Sequence, residues 1–365
     1  MNTMSGRGMI GLFNQIIAAL TIIIAVLVGL FMYVYYSIEE GSESTWEYHE
    51  SADDAGFSRE ALDQARIYYD SINSTSLMVI SEGKVLLSWG DVTKNTNAHS
   101  VRKSFLSALF GIEIDRGNAG LSDTLEQLEI DDQPPLTTIE KQAQLSHLMS
   151  SSSGVYLPAG EESWGMRVAR PSRGSHLPGE FYYYNNWDFN VLGTIYNDIP
   201  ERDVFVDFND RIAEPLGMED FDLANTNYKY ENRRSRHPSY LFQLSARDMA
   251  RFGQLYLQKG EWNGEQIVPE WWIEESTSVQ KEVPSNTVFD YGYLWWAASV
   301  PPYSDYNMYS AVGRYGQSID IIPELDLVFV HRVDSNRLAF QLTRSAVNDL
   351  QRLQLLQLVL DARRS

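Results

Sequence analysis

Ser100 and Lys103, one helical turn apart in Ser100-Val-Arg-Lys103, combine a hydroxyl nucleophile with a basic amine. On a helix they share a face, because residues three apart are surface neighbours. A lysine withdrawn from water loses its preference for the charged form and can take the hydroxyl proton, leaving an oxygen able to attack a carbonyl carbon. The spacing alone decides little. Ser278-Val-Gln-Lys281 repeats it, and a serine helix cap followed by a surface lysine gives the same pattern. His99 adjoins Ser100, but a histidine beside a helix cap is expected to face solvent rather than act as a base. There is no Gly-x-Ser-x-Gly elbow, and the six histidines show no metal-ligand spacing. With no cysteine, disulfides, thiolate catalysis and Cys-ligated zinc are excluded together. No metal and no cofactor is expected.

The element that must position the pair is the segment 100–117. Val101, Phe105, Leu106, Leu109, Ile112 and Ile114 fall mostly at helical spacing, so it is expected to be a largely buried helix with Ser100 at its start. A strand, tight turn and strand precede it, Ser76–Ser81 and Val85–Gly90. Before them, Ser58 caps an amphipathic helix. After the Ser100 helix come a polar stretch, a capping-box pattern at Thr137–Glu140 and a helix around Leu145–Met149. A serine-rich turn, Ser150–Gly154, opens a long Gly/Pro/Ser-punctuated loop, the kind of segment that is usually functional. Helices are expected over Asp203–Met218 and Leu244–Leu257, the second capped by Ser245. Strands are expected at Tyr291–Ala298, Met308–Gly313, Gln317–Ile322 and Leu327–Val333, and one long helix over Phe340–Ala362. Hairpin, helical middle, antiparallel strands and terminal helix, without βαβ alternation, predict an α+β fold.

The chain has 365 residues, 44% hydrophobic and 21% charged, with ample length for a core. A net charge of −20 argues against nucleic acid as a partner, since a binder of phosphate backbones carries the opposite sign. Residues 16–36, IIAALTIIIAVLVGLFMYVYY, are long enough to cross about 30 Å of hydrocarbon as a helix. Arg7 lies before this run and no Lys or Arg follows until Arg59, which puts the N-terminus in the cytoplasm and the rest outside. The run exceeds a usual signal-peptide core and no small-x-small cleavage site follows, so an uncleaved anchor is expected. The expected organisation is an N-terminal transmembrane anchor at 1–38, an acidic linker at 39–55 and a catalytic domain at 56–365, with 118–235 as its helical subdomain. That makes a single-pass protein of the inner membrane, its domain facing the periplasm or exterior.

In order and spacing, several blocks resemble the serine β-lactamase and penicillin-binding protein superfamily, especially its class C-like branch of esterases and short-amide hydrolases. Ser100-Val-Arg-Lys103 with the following Ser-Phe-Leu matches its Ser-x-x-Lys. Tyr184-Asn-Asn186 is similar to its Tyr-x-Asn, with Phe189, Leu192 and Gly193 behind it favouring Tyr184 over Tyr183 and Tyr230. Glu214-Pro-Leu-Gly-Met218, Ser245–Phe252 and Gly260–Val268 are similar to framework blocks, and Ala311-Val-Gly313 stands where the family has Lys/His-x-Gly. The resemblance covers about residues 55–362. It implies a β-lactamase/DD-peptidase-like fold: an antiparallel sheet flanked by helices plus a mainly helical domain.

The resemblance implies acyl transfer through an ester on Ser100. Lys103 and Tyr184 would be the acid/base pair, and Asn186 would orient Lys103 or bind the substrate carbonyl. The backbone N–H groups of Ser100 and Arg314 would form the oxyanion hole, with Gly313 leaving room for substrate against the strand edge. Ala311 departs from the pattern by replacing the cation that holds a substrate carboxylate, and Arg314 points from a different position. A hydrolase of small amides or esters therefore ranks above a β-lactamase or D-Ala-D-Ala carboxypeptidase, with a non-catalytic anchored binding module as a further alternative. The tryptophans are expected to be mostly core, with Trp164 in the long loop a candidate wall of the substrate pocket.

Overall fold

The computed structural model describes residues 46–364 except 285 and 344. The hairpin forms as β1 (Ser76–Ser81) and β2 (Lys84–Gly90), turning through Glu82 and Gly83, both at positive φ. Two-residue β3 (Thr96–Asn97) pairs with β5 (Ser239–Leu244), which also pairs with β4 (Thr226–Lys229). A small hairpin joins β6 (Glu261–Trp262) and β7 (Glu265–Gln266). The last strands are β8 (Phe289–Tyr291), β9 (Trp296–Ala298), β10 (Tyr309–Gly313), β11 (Gln317–Ile322) and β12 (Leu327–Arg332). Seven of them make the main sheet, in the order β2-β1-β12-β11-β10-β9-β8, antiparallel throughout.

The helices are α1 (Arg59–Ser71), α2 (Arg102–Asp115), α3 (Leu145–Met149), α4 (Trp164–Ala169), α5 (Asn186–Asp198), α6 (Val204–Phe208), α7 (Ala246–Leu257), α8 (Glu270–Thr277), α9 (Leu338–Thr343) and α10 (Asp349–Asp361). Leu62, Ala65 and Tyr69 of α1 and Leu355, Leu356 and Val359 of α10 meet Leu77, Val79 and Phe329 on one face of the sheet. Helix α7 packs on β1, β11 and β12 from the other face. That double cover explains why these three strands are buried along their whole length instead of alternating. At Gly253 of α7 a Cβ would fall 2.5 Å from Val328 Cγ1, so this glycine sets how closely helix and sheet approach. Every residue of α2 from Arg102 to Glu113 is buried, which makes α2 the central helix of the domain. Between residues 118 and 225 the regular elements are helical, α3 to α6 with short 3-10 turns and a π-helical turn at Asn209–Ala213.

Three expectations need correction. Tyr291–Ala298 is not one strand: it is the end of β8, a turn and β9. Gly292 N–H bonds Trp295 O at 2.8 Å, Leu294 takes φ 67°, and a side chain at Gly292 would run into the Ser276 carbonyl. The terminal helix is two helices, because Asn348 and Gln351 form a capping box that starts α10 afresh. Residues 47–55, expected as the end of a tether, belong to the folded unit: His49 N–H bonds Val85 O at 3.1 Å and Val85 N–H bonds Glu47 O at 2.8 Å. This pairing covers the exposed edge of β2. No helix among the described residues is long and apolar enough to cross a membrane, and the apolar run at 16–36 lies outside them.

Candidate active site

Ser100 lies in a 3-10 turn, His99–Val101, between β3 and α2. The turn is set by Asn97, whose side-chain oxygen accepts from His99 N–H at 2.8 Å, and by a left-handed His99 at φ 49°. Contrary to expectation Ser100 does not cap the helix. Val101 is the N-cap residue and the turn has no side-chain cap bond, so the serine hydroxyl is left for Lys103. His99 is half-buried at the cavity wall and engages Ser335 and Tyr315 rather than open solvent. Its Nε2 lies 2.8 Å from Ser335 Oγ and its ring meets Tyr315 edge-on. Burial, reinforced by Arg314, Arg102 and Arg332, pulls its imidazole down to about 3, so it stays neutral.

Lys103 is 1% exposed. Its Nζ lies 3.3 Å from Ser100 Oγ, 2.7 Å from Tyr184 Oη and 3.2 Å from Asn186 Oδ1. Among the described residues it has no carboxylate within ion-pair distance. Burial, then the charges of Arg102 and Arg314, hold its amine well below the usual lysine range. Burial pushes the Tyr184 phenol up to about 12, against the opposing pull of its hydrogen bond to Ser100. Both shifts favour a neutral amine beside a protonated phenol, the form that could accept a proton from serine. Asn186 donates its amide to Gly160 O at 3.3 Å, which turns its carbonyl oxygen toward Lys103.

The serine-rich turn proves to be the clamp that presents Tyr184. Ser151 O accepts from Tyr183 N–H at 2.9 Å, while Ser151 Oγ donates to Tyr183 O and accepts from Asn185 N–H. Asn185 caps α5 through Trp187 N–H and donates to Val155 O and Asp188. Asp188 also accepts from Ser153, and complete burial raises its carboxyl far above the usual range. Tyr183 points elsewhere, its hydroxyl on Met166 O at 2.7 Å. The repeated spacing is equally separate: Ser278 Oγ bonds Glu275 O and Lys281 Nζ bonds Gly179 O.

Ser100 opens into a cavity of about 470 Å³ that Tyr184 and Asn186 also line. Strand β10 forms one wall. A Cβ at Gly313 would lie 2.7 Å from Ala98 O and 3.1 Å from Ser100 N, so only glycine lets the strand come this close to the Ser100 N–H. The exposed Arg314 lines the cavity and follows Gly313 in the turn to β11. Ala311 does not reach the cavity. Strand alternation buries it, and Val312 is the wall residue. Trp164, 74% exposed, is no wall either; Ser163 and Met166 from the same loop are. Sequence reasoning missed Glu161, Ser163, Met166, Val312 and Arg102 as lining residues. Only the Ser163 cap of α4 left a local signal, Ser163 Oγ accepting from Met166 N–H at 3.1 Å.

A Ser-x-x-Lys helix set against the edge of an antiparallel sheet, with a tyrosine brought to the lysine from a helical region, defines a class of serine hydrolase. Residues 62–350 match the family model described as Beta-lactamase, and the chain belongs to that family. An uncharacterized protein of Alkalihalophilus pseudofirmus is 20% identical over 67% of this chain and 75% of its own length. A Bacillus anthracis protein provisionally named a 6-aminohexanoate-dimer hydrolase is 21% identical, with a TM-score of 0.61 over 81% of this chain and 80% of its own. An octameric penicillin-binding protein homologue from Pyrococcus abyssi is 19% identical, with a TM-score of 0.57 over 76% and 74%. These structural neighbours share the fold.

Proposed function

We propose that this protein is a membrane-anchored serine hydrolase that cleaves a small amide or ester through an acyl-enzyme on Ser100. The observation that carries the reading is the Lys103 amine, buried without an acidic partner and within reach of both Ser100 Oγ and Tyr184 Oη. Ser100 Oγ bonds to the substrate carbonyl carbon as its proton passes to the Lys103–Tyr184 pair, which titrates as a unit. The carbonyl electron pair moves onto oxygen, where the N–H groups of Ser100 and Arg314 receive it. Collapse breaks the bond to the leaving nitrogen or oxygen, which takes the proton from Tyr184. Water then adds to the ester carbon and gives a proton to the same pair. The bond to Oγ breaks, Oγ is reprotonated, and the acid leaves. Asn186 holds Lys103 in place throughout.

Cleavage of amides is supported by the likeness to the protein named a 6-aminohexanoate-dimer hydrolase. The apolar Ala311 and Val312 argue against a β-lactamase or D-Ala-D-Ala carboxypeptidase, since neither offers a substrate carboxylate a charge or a hydroxyl. The apolar run at 16–36 supports an inner-membrane anchor with the domain facing outward. The full chain in detergent, treated with a fluorophosphonate, is expected to carry one adduct on the Ser100 peptide by mass spectrometry. Absence of that adduct overturns the reading. Protease added to spheroplasts should remove the domain; protection of the domain would place it on the other side.

A further inference from the structure

Arg102 stands between nucleophile and base in the sequence and is only 4% exposed. One guanidinium nitrogen donates to His99 O at 2.9 Å, and the group lies 5.2 Å from the centre of the Tyr240 ring. Its Nε and Nη2 are shut off from solvent and have no hydrogen-bond partner, and no carboxylate among the described residues lies within ion-pair distance. Burying a cation this way costs more than a ring face returns. An apolar side chain would complete α2 more cheaply. Arg102 faces the cavity that Ser100 opens into, so the cost falls at the site. A ligand anion could not touch the two unpaired nitrogens without displacing the side chain, which leaves the field of the guanidinium as its means of action.

The charged and titratable groups around Lys103 fix the sign of that field. Arg102 on α2 and Arg314 in the turn after β10 both act on it through their charge. Tyr184 comes from the loop before α5, and Tyr240 of β5 and Tyr291 of β8 stand behind it, their phenols kept protonated by burial. His99 is neutral. Of the cavity's carboxylates, Glu161 is paired with Lys229 and also feels the charges of Arg102 and Arg314, offsetting part of their field, and Asp349 lies 3.7 Å from Arg352 Nε. Two guanidinium charges thus act on the amine, and among the described residues no carboxylate lies within ion-pair distance of it.

We propose that Arg102 is a positioning residue for the proton chemistry of Ser100: its buried, unpaired guanidinium keeps the neighbouring Lys103 amine free of its proton and ready to accept one from the serine. Arginine keeps its own charge across the working range, so it is the lysine that yields. The depressed lysine, on which Arg102 is the strongest charge acting after burial, agrees with this geometry. The inference rests on the acyl-enzyme reading above and adds a residue to it.

The test is the rate at which a fluorophosphonate labels Ser100 in the full chain as a function of pH. Removing the charge in Arg102→Gln should move the acid limb of that profile up by about one pH unit. Arg102→Lys, which keeps the charge, should leave the limb near its original place. Arg314→Gln alters an exposed side chain and should move the limb the same way by less, which gives a second reading should Arg102→Gln not fold. Unlabelled wild-type protein removes the acyl-enzyme reading and this inference with it. A labelled protein whose limb stays put in both Gln variants overturns the inference alone. So does a loss of rate equal at every pH, or a limb that moves as far in Arg102→Lys as in Arg102→Gln.

Discussion

Lys103 and Arg332 are both 1% exposed, both lack a carboxylate within ion-pair distance among the described residues, and they are held in opposite ways. Arg332, at the end of β12, donates from Nε to Gln317 Oε1 at 2.7 Å and from Nη1 to Leu244 O at 2.8 Å. Its Nη2 donates to Thr96 O at 2.9 Å and Asn97 O at 3.2 Å. A planar guanidinium spreads its charge over donors that several carbonyls can match at once. Burial therefore lowers Arg332 only to about 9, and it remains a cation that ties β12 to β3, the strand leading into the Ser100 turn. Lys103 presents a compact ammonium to three neutral oxygens under the rings of Phe189 and Tyr184, with two guanidinium charges acting on it. Its hold on a proton is strongly weakened. Equal burial thus leaves a structural cation in one place and an amine held well below its usual range in the other, and head-group shape with acceptor count separates them.

The comparison breaks if the two residues can exchange consequences. Lys103→Met should lower the rate of Ser100 labelling by about 10²–10⁴-fold, the usual worth of a positioned base, while leaving the thermal midpoint unchanged or raised. Arg332→Gln should do the reverse in kind. The carbonyls of Leu244, Thr96 and Asn97 lose donors they cannot replace, so urea unfolding should show a loss of about 3 kcal/mol or more. A Lys103→Met protein less stable than Arg332→Gln would sink the distinction. Gly313→Ala sharpens it from the other side of the cavity. Its Cβ would crowd Ala98 O and Ser100 N, so labelling should fall by about 10²-fold, the scale of one lost oxyanion donor, in a folded protein. Labelling within a factor of about two of wild type would mean that the strand edge takes no part in holding the oxyanion.

What the sequence could convey follows the same division between local pattern and long-range fit. The β1–β2 hairpin, the capped helices α1 and α7 and the strands β10 to β12 carry periodicity and turn residues within short windows, and they were legible. The Ser100–Lys103 pair, Tyr184 with Asn186, and Gly313 lie far apart in sequence, and only the ordered family blocks linked the three. Composition misled at Tyr291–Ala298, where an aromatic-rich run conceals a turn fixed by the distant Ser276 carbonyl. The wall residues Glu161, Met166 and Val312 left no periodic trace, because a loop wound over a cavity is shaped by what it rests on. Arg102 was readable as a residue but not as a buried charge without a carboxylate beside it. That property exists only once α2 is packed.

His331, next to Arg332 on β12, offers the mildest test of how buried basic groups behave in this fold. Its ring is held neutral: Nδ1 donates to Gly316 O at 2.5 Å, and Nε2 accepts from Ser74 Oγ at 2.6 Å. Burial pulls it from 6.5 down to about 4, outweighing the opposing hydrogen bond to Gly316. The unfolded chain binds a proton at this residue between those two values and the folded chain does not, so this contribution to stability is present above 6.5 and lost as pH falls toward 4. His99 adds a change of the same sign that runs on to about 3. Unfolding free energy from urea titrations should therefore decline across that acid window in the wild type, and less steeply in His331→Gln. That variant has no imidazole to charge, although it is somewhat less stable at neutral pH. An identical slope in the variant would mean that His331 accepts its proton inside the fold, as Arg332 beside it keeps one, and that burial in this sheet does not by itself strip a basic group.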